Sequence, residues 1–457
     1  MQILSSILAT FFSFKAYVML PVIILLIALA VRLPLRQSLL STVSLAAGFA
    51  GVFIAFNFFV SNISPAVQQL STVRGLNFPV LDVGWPPLAA ITWASPLAPV
   101  SIALVLVANL VMLALGLTRT VYIDIWNYWH FALIGALIMA LTGNWWLGLS
   151  AALLLAVYCF KMAEWTAFDI ERETGLAGIA ASPVSVNGIA PYIACADWLF
   201  DRIPLINRLG YYPHVADEKA SPTDGATASG QHLLELLHEP MVIGFLMGLL
   251  LALAAGYDVR GSLELSVHIS AVMFLLPKSA GLIGEAMMPI TSALRAQVER
   301  VFPHRTNLIV ALDTGFLMGH KAVIMTGLIL MALAIGIALV LPGNRVLPLG
   351  DLPGLISGMS LSVLMFRGNV VRAVLAGIPL IAVYLLISSD MAPLVTELAH
   401  KAPAFQMAGL GEITAFIDGG NPLRYLLFHL YLGQWWAAVL GLLLLVGMWI
   451  TRRRAQA

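Results

Sequence analysis

The chain has 457 residues, 60% of them hydrophobic and 10% charged, with a formal net charge of +1. A soluble domain carries about 25% charged residues, so the composition excludes a large soluble core and describes a polytopic membrane protein. Near-zero net charge removes the basic surface that nucleic acid requires, and the two cysteines, Cys159 and Cys195, stand in no metal or redox spacing.

Apolar runs recur at lengths near the ~20 residues that cross a bilayer. The first, Tyr17–Val31, has no small-residue cleavage site after a basic start, so it is expected to remain as a membrane helix and not to leave as a signal peptide. Arg32 and Arg36 follow it, and "TRRRAQA" follows the last run. By the positive-inside rule these ends are cytoplasmic and the N-terminus lies outside. That orientation needs an odd number of spans, and eleven fit the hydropathy. Spans one and two are expected near 17–33 and 38–60, and spans three to five near 97–117, 121–142 and 145–162. The first unit therefore covers 1–162. Residues 163–238 are a cytoplasmic or interfacial linker, with a stretch at Trp198–Arg208 suited to the membrane surface and a flexible "ADEKASPTDGATASGQ". A second hydrophobic unit, 239–390, opens at Glu239-Pro240. Residues 391–457 supply an external segment, the last span and the basic tail.

Punctuation repeats in the same order in both units. Pro21 pairs with Pro240, Pro65 with Pro289, and "LDVGW" (Leu81–Trp85) with "LDTGF" (Leu312–Phe316). Arg119 pairs with Arg345, Asp124 with Asp351, and Gly143-Asn144 with Gly368-Asn369; the offsets, by subtraction, run from 219 to 231. Five spans per unit would turn the second copy upside down, an inverted repeat with its substrate site near the bilayer midplane. Each copy also carries a half-polar stretch after its second span, at about 61–96 and 278–313. Such segments survive at membrane depth only where protein or a water-filled cavity satisfies the backbone. Two re-entrant hairpins are expected there.

The candidate site residues cluster at these places. Asp82 and Asp313 offer carboxylates beside bendable glycines, with Trp85, Thr92 and Trp93 close to the first. Carboxylates and amides suit hydroxyl groups, and indole faces suit C–H surface, so the set fits a polyol; helix capping is the competing role for both acids. In "DIWNYWHF", Asn127 and His130 share a side of a helix and lie at membrane depth, where an ionisable group marks function by default. Trp126 and Trp129 are expected as interfacial anchors. Glu239 either starts a helix ahead of Pro240 or lines a path from the cytoplasm, and His320 follows Asp313 by seven residues. No Walker A loop, metal-spaced ligand set or nucleophile–base pair is present, so no cofactor, metal or catalytic residue is expected. "IDGGNP" (Ile417–Pro422) is taken as a Gly-rich turn.

Long, ordered motifs then carry a resemblance. "VLDVGWPPLAAITWAS", "DIWNYWH", "EPMVIGFLMGL", "ALDTGFLMGH", "LPGNRVLPLGDL" and "FRGNVVR" resemble the galactitol-type enzyme IIC of the bacterial phosphotransferase system, over nearly the whole chain. The resemblance implies a sugar-alcohol permease of the bacterial inner membrane that works by group translocation with separate IIB and IIA components. It carries no phosphoryl-transfer residue of its own. It also implies an all-α homodimer of the ascorbate–galactitol superfamily, with a V-shaped dimerisation domain from spans one, two, six and seven. The core domain would hold the two hairpins and move as an elevator. "PPLAA" after Asp82, "LDTGF" and His238 depart from the family pattern and leave the polyol open, galactitol first and another hexitol or pentitol second. An ion-coupled transporter using Asp82, Asp313 or His130 is the alternative; a membrane-embedded enzyme lacks a catalytic constellation.

Overall fold

The computed structural model of the chain describes residues 16–74, 78–213, 239–301, 307–318, 320–402 and 411–455. The first unit runs α1 (Ala16–Ala30), α2 (Leu35–Arg74), β1 (Val80–Asp82), α3 (Trp85–Trp93) and α4 (Leu97–Ala114). Then come β2 (Thr120–Val121), a 3-10 turn (Ile125–Tyr128), α5 (Trp129–Thr142) and α6 (Trp145–Thr174). The connecting region holds β3 (Ile179–Ala181), α7 (Val184–Asn187), α8 (Ala190–Phe200) and α9 (Pro204–Arg208). The second unit runs α10 (Pro240–Ala254), α11 (Val259–Val301), β4 (Ile309–Leu312), a 3-10 turn (Thr314–Leu317) and α12 (Lys321–Val340). It closes with β5 (Val346–Leu347), α13 (Gly354–Met365), α14 (Val370–His400), β6 (Glu412–Thr414), α15 (Pro422–Tyr431) and α16 (Trp435–Ala455).

Among the described residues, seven helices are long and apolar enough to cross a membrane, and four shorter apolar helices accompany them. The protein is a multi-pass membrane protein. Helices α1, α2, α10 and α11 pack on one another, with α11 lying along both α2 and α10. Small residues allow the approach: a Cβ on Gly48 would come within 3.0 Å of the Ser279 carbonyl, and one on Gly248 within 2.6 Å of Ser266 Cα. Close backbone contact through glycine and serine is how helices gain packing energy in lipid, where no hydrophobic drive separates them from the solvent. This four-helix scaffold meets the remaining helices mainly at α3 and the Ile125–Tyr128 turn.

The two half-polar stretches behave differently from the expectation. Residues 61–74 and 278–301 do not enter hairpins; they prolong α2 and α11 to 40 and 43 residues. Their polarity is that of amphipathic helices. Ile63, Ala66 and Leu70 are buried on one side of α2, and Ile283, Met287, Ile290, Leu294 and Val298 on one side of α11, the spacing of a helical stripe. Pro65 and Pro289 lie inside these helices. The broken backbone is confined to the segments after them, where β1 and β4 give way to short turns.

The architecture is mostly helical, and two small parallel sheets of two- to four-residue strands add to it. In one, β1 lies between β5 and β6, pairing Val80 with Val346 and Glu412. In the other, β4 lies between β2 and β3, pairing Val310 with Val121 and Ile179. β1 of the first unit is thus flanked by two strands of the second, and β4 of the second by one strand of the first unit and one of the connecting region. The reciprocity reaches single bonds: Ile309 N–H donates to the Arg119 carbonyl at 3.0 Å, and Val80 N–H to the Arg345 carbonyl at 3.2 Å. Strands of two to four residues left no period-2 pattern long enough to read, yet extended backbone at this depth must pair with something. The matched Gly-Asn pairs also do the same work. Gly143 and Gly368 take positive φ, and Asn144 and Asn369 cap α6 and α14 by accepting from backbone N–H groups.

At the first sheet two loops nearly touch. Gly84 sits at φ 75°, and a Cβ on Gly350 would lie 2.4 Å from the Asp82 carbonyl oxygen and 2.8 Å from Gly84 N. Gly350→Ala is expected to cost about 1–3 kcal/mol through overpacking and to lower the melting temperature of the detergent-purified protein. Gly336→Ala, with nothing within 4 Å of the added methyl, is the control and should melt like the parent.

Candidate functional site

Two polar centres form at the ends of the two sheets, and they differ in one respect that decides their use. In the first, Asp82 ends β1 with 1% of its surface exposed. Its Oδ1 accepts from Gly84 N–H at 3.1 Å and Phe416 N–H at 3.0 Å, and its Oδ2 from Asp351 N–H at 2.9 Å. Asp351, equally buried, accepts from Ile417 N–H at 3.0 Å and Trp85 N–H at 3.4 Å. Five backbone donors from three loops therefore converge on two carboxylates. Orphan N–H groups buried in a membrane protein cost several kcal/mol each, so these acids do for irregular loops what helix bonding does elsewhere. Asp82 faces backbone here, not an open surface, and capping describes it.

The second centre leaves acceptors available. Asn127 Nδ2 lies 2.7 Å from Asp124 Oδ2, 2.9 Å from Asp313 Oδ2 and 3.1 Å from Ser182 Oγ. Ser182 Oγ–H in turn donates to Asp124 Oδ2 at 2.6 Å. Among the described residues, Asp313 Oδ1 accepts only the local Gly315 N–H, at 3.1 Å, and the residue is exposed. Thr314, next to it, is hydrogen-bonded to Ser357 on α13 at 2.6 Å between hydroxyls. One carboxylate is therefore held out from a network whose other members are fixed, which gives a solute's hydroxyl groups an oriented acceptor.

Indoles lie between the two centres. Trp126, one residue before Asn127, meets Trp85 edge-on with centroids 6.4 Å apart, lies 6.4 Å from Trp93, and touches Phe49 of the scaffold at 5.9 Å. A cleft of about 390 Å³, counted to its open mouth, runs between Trp85 and Asp351 on one side and Phe59, Met273, Leu276 and Pro277 of the scaffold on the other. Trp126 and Trp129 are 8% and 1% exposed; they are core residues and not interfacial anchors, because the turn that carries them packs inward against α11.

His130 belongs to a third group. It is 2% exposed and stacks on Trp129 at 3.9 Å. Its Nδ1 is 3.2 Å from Asp418 Oδ1 and 3.3 Å from Arg424 Nη2, and Arg424 also bonds the Asp418 carbonyl. This ion cluster ties α5 to the Asp418 loop and α15. The remaining candidates are scattered. Thr92 is buried and its hydroxyl donates to the Leu88 carbonyl at 2.8 Å, and Trp93 lies under Trp126. Glu239 is exposed at the start of α10 in the scaffold, with no side-chain cap bond. His320 opens α12 near Gly368. The structure thus joins Asn127 and Asp313 in one centre; His130 pairs with Asp418 but lies close enough to Asp313 to feel its charge, while Glu239 and His320 stand at the starts of other helices.

Sequence reasoning passed over Ser182, Asp351, Asp418 and Arg424. Asp351 served only as a repeat marker and "IDGGNP" only as a turn. A signal existed: an arginine inside the apolar "PLRYLLFHLY" must find a counter-ion, and Gly419-Gly420 marks a close backbone approach. A Cβ on Gly420 would lie 2.3 Å from the Tyr384 carbonyl oxygen.

A family model described as "PTS system sugar-specific permease component" matches residues 10–409. The chain belongs to this phosphotransferase-system permease family. It is 32% identical over 441 residues to the "PTS system galactitol-specific EIIC component" of Escherichia coli strain K12, covering 96% of this chain and 94% of that one. The protein of the same name from Escherichia coli O157:H7 matches equally. A "Putative permease IIC component" of strain K12 is 30% identical over 407 residues, 88% of this chain and 89% of the other.

For this permease, the arrangement at Asp82 predicts a stability defect. Asp82→Asn replaces an acceptor oxygen with an NH2 group facing backbone donors. At least one buried N–H loses its partner, a cost of about 1–3 kcal/mol, read as a lower melting temperature in detergent.

Proposed function

We propose that this permease carries a sugar alcohol, galactitol first among the candidates, for phosphorylation by a separate IIB protein charged through IIA. The observation that carries the reading is the half-open centre at Asn127 and Asp313, next in sequence to Trp126, whose indole meets that of Trp85. Uncharged polyols need oriented acceptors along one edge and flat apolar contact along the other. The names of the two galactitol-specific relatives agree with this chemistry. Cys159 is buried in α6 and Cys195 packs against Gly447, which supports leaving phosphoryl transfer to the partner.

The reciprocal sheets support an inverted repeat: the central strand of each pairs with strands from before or after the connecting region, β1 with β5 and β6, and β4 with β2 and with β3 of the connecting region itself. Seven long and four shorter apolar helices are compatible with eleven spans. The limited contact between scaffold and core supports an elevator motion of the core against a V-shaped dimerisation scaffold in a homodimer. Helix α8 packs beside Gly447, near the basic tail, and holds Arg372 at the start of α14 through Asp197 at 2.6 Å. This clustering supports a cytoplasmic location for the C-terminus, α8 and the start of α14 in the bacterial inner membrane.

Two measurements test the reading. In membrane vesicles, labelled galactitol should accumulate as its phosphate only when phosphorylated IIB is present. Accumulation of the free polyol along a proton gradient would instead favour an ion-coupled transporter. On purified protein, Asp313→Asn should weaken galactitol binding by roughly 10- to 100-fold, the loss of one hydrogen bond to a charged group, with little change in melting temperature.

A further inference from the structure

The segment from Asp197 to Tyr212, which holds the end of α8 and all of α9, has its polarity reversed. Its polar groups turn inward. Asp197 and Asp201 accept from Arg372 Nη1 at 2.6 and 2.9 Å, and Asn207 Oδ1 accepts from Arg372 Nη2 at 2.9 Å. The backbone is tied to the start of α14 as well: Asn369 Nδ2 donates to the Leu209 carbonyl at 3.3 Å, and Val370 N–H to the Tyr211 carbonyl at 3.0 Å. The apolar side chains face outward. Trp198, Leu199, Leu205, Leu209, Tyr211 and Tyr212 are all exposed, Leu205 to 72%.

A segment that faces water buries its leucines and shows its carboxylates; this one does the opposite. Its place in the fold says which apolar medium covers it. Helix α8 packs on α16 so closely that a Cβ on Gly447 would lie 3.1 Å from Cys195 Sγ. At that height Val446, Trp449 and Ile450 of α16 are exposed, as lipid-facing residues are. Gly447 stands five residues before Arg452, about 7.5 Å along the helix. Apolar groups about 5–10 Å inside a charged border lie where headgroups meet acyl chains. Two cations stand on the same segment. The Arg202 guanidinium carbon lies 3.7 Å from the Trp198 ring centroid, and Arg208 ends α9. Both are exposed. The carboxylates of the segment are taken by Arg372, and among the described residues neither arginine has an ion-pair partner. We propose that this segment is a membrane-surface platform, in which the outward side chains enter the lipid interface and Arg202 and Arg208 bind the phosphate groups of anionic lipids. Arginine stems reach from apolar depth to headgroup level, and an anionic surface holds basic residues placed beside it. Because Arg372 and Asn369 fasten the platform to α14, the membrane surface fixes the height of that helix end. The inference does not depend on which solute the permease carries.

Two measurements on the full chain test it. In lipid nanodiscs, a nitroxide on Leu205→Cys, in a Cys195→Ser background, should be relaxed more by oxygen, which concentrates in lipid, than by a water-soluble nickel chelate. Stronger relaxation by the chelate overturns the platform and marks the patch as a docking surface for a soluble protein. For the headgroups, delipidated protein is supplied with equal phosphatidylglycerol and phosphatidylcholine, and the lipids it retains are read by native mass spectrometry. The parent should prefer phosphatidylglycerol, and Arg202→Gln and Arg208→Gln should each lower that preference roughly fivefold. Equal retention of both lipids by the parent, or a preference unchanged in the double variant, overturns the assignment of the two arginines.

Discussion

The interaction on which the rest of this structure depends is the pairing of backbone N–H groups with two buried carboxylates, Asp82 and Asp351. A chain that leaves helical geometry at membrane depth must satisfy every exposed donor from within the protein. Here β1 meets two strands drawn from the second half, and the loops that follow those strands turn their N–H groups onto the two acids. The short helix that starts at Trp85 is therefore fixed at its base by residues more than 260 positions away in sequence. Removing that tie would free the indole of Trp85 from the cleft it lines.

The second sheet uses the same plan with a different outcome. Asp313 and Asp124 occupy places equivalent to Asp82 and Asp351 in the ordered pairs of motifs, yet they share one side-chain amide, that of Asn127, in place of a ring of backbone donors. The first pair of acids is saturated by backbone donors, whereas Asp313 is exposed and keeps acceptor capacity among the described residues.

Much of this was legible in the sequence, for identifiable reasons. The polytopic, mostly helical character was readable because apolar runs are long and charges few. The paired motifs were readable because turns, caps and bends need Gly, Asn, Pro and Asp at fixed places, and Gly143-Asn144 and Gly368-Asn369 are indeed matched caps. The strands were not, because two to four residues cannot express an alternation. The half-polar ends of α2 and α11 looked like hairpins because an amphipathic helix and a re-entrant loop have similar average polarity; only the periodicity of Ile283, Met287, Ile290 and Leu294 separates them. Asn127 and Asp313, singled out by residue type and context, do meet in one hydrogen-bonded group. Asp418 and Arg424 were missed because they are close neighbours in a turn whose meaning depends on His130, some 290 residues earlier.

On the proposed function, the solute lies against Asn127 and Asp313 near the Trp126 indole. A cryo-electron microscopy map of the purified permease with saturating galactitol decides this. Density is expected for a bound polyol with hydroxyl groups within hydrogen-bonding distance of Asp313 and Asn127. Density confined to the His130–Asp418–Arg424 cluster, or to the scaffold beside Glu239, would contradict it.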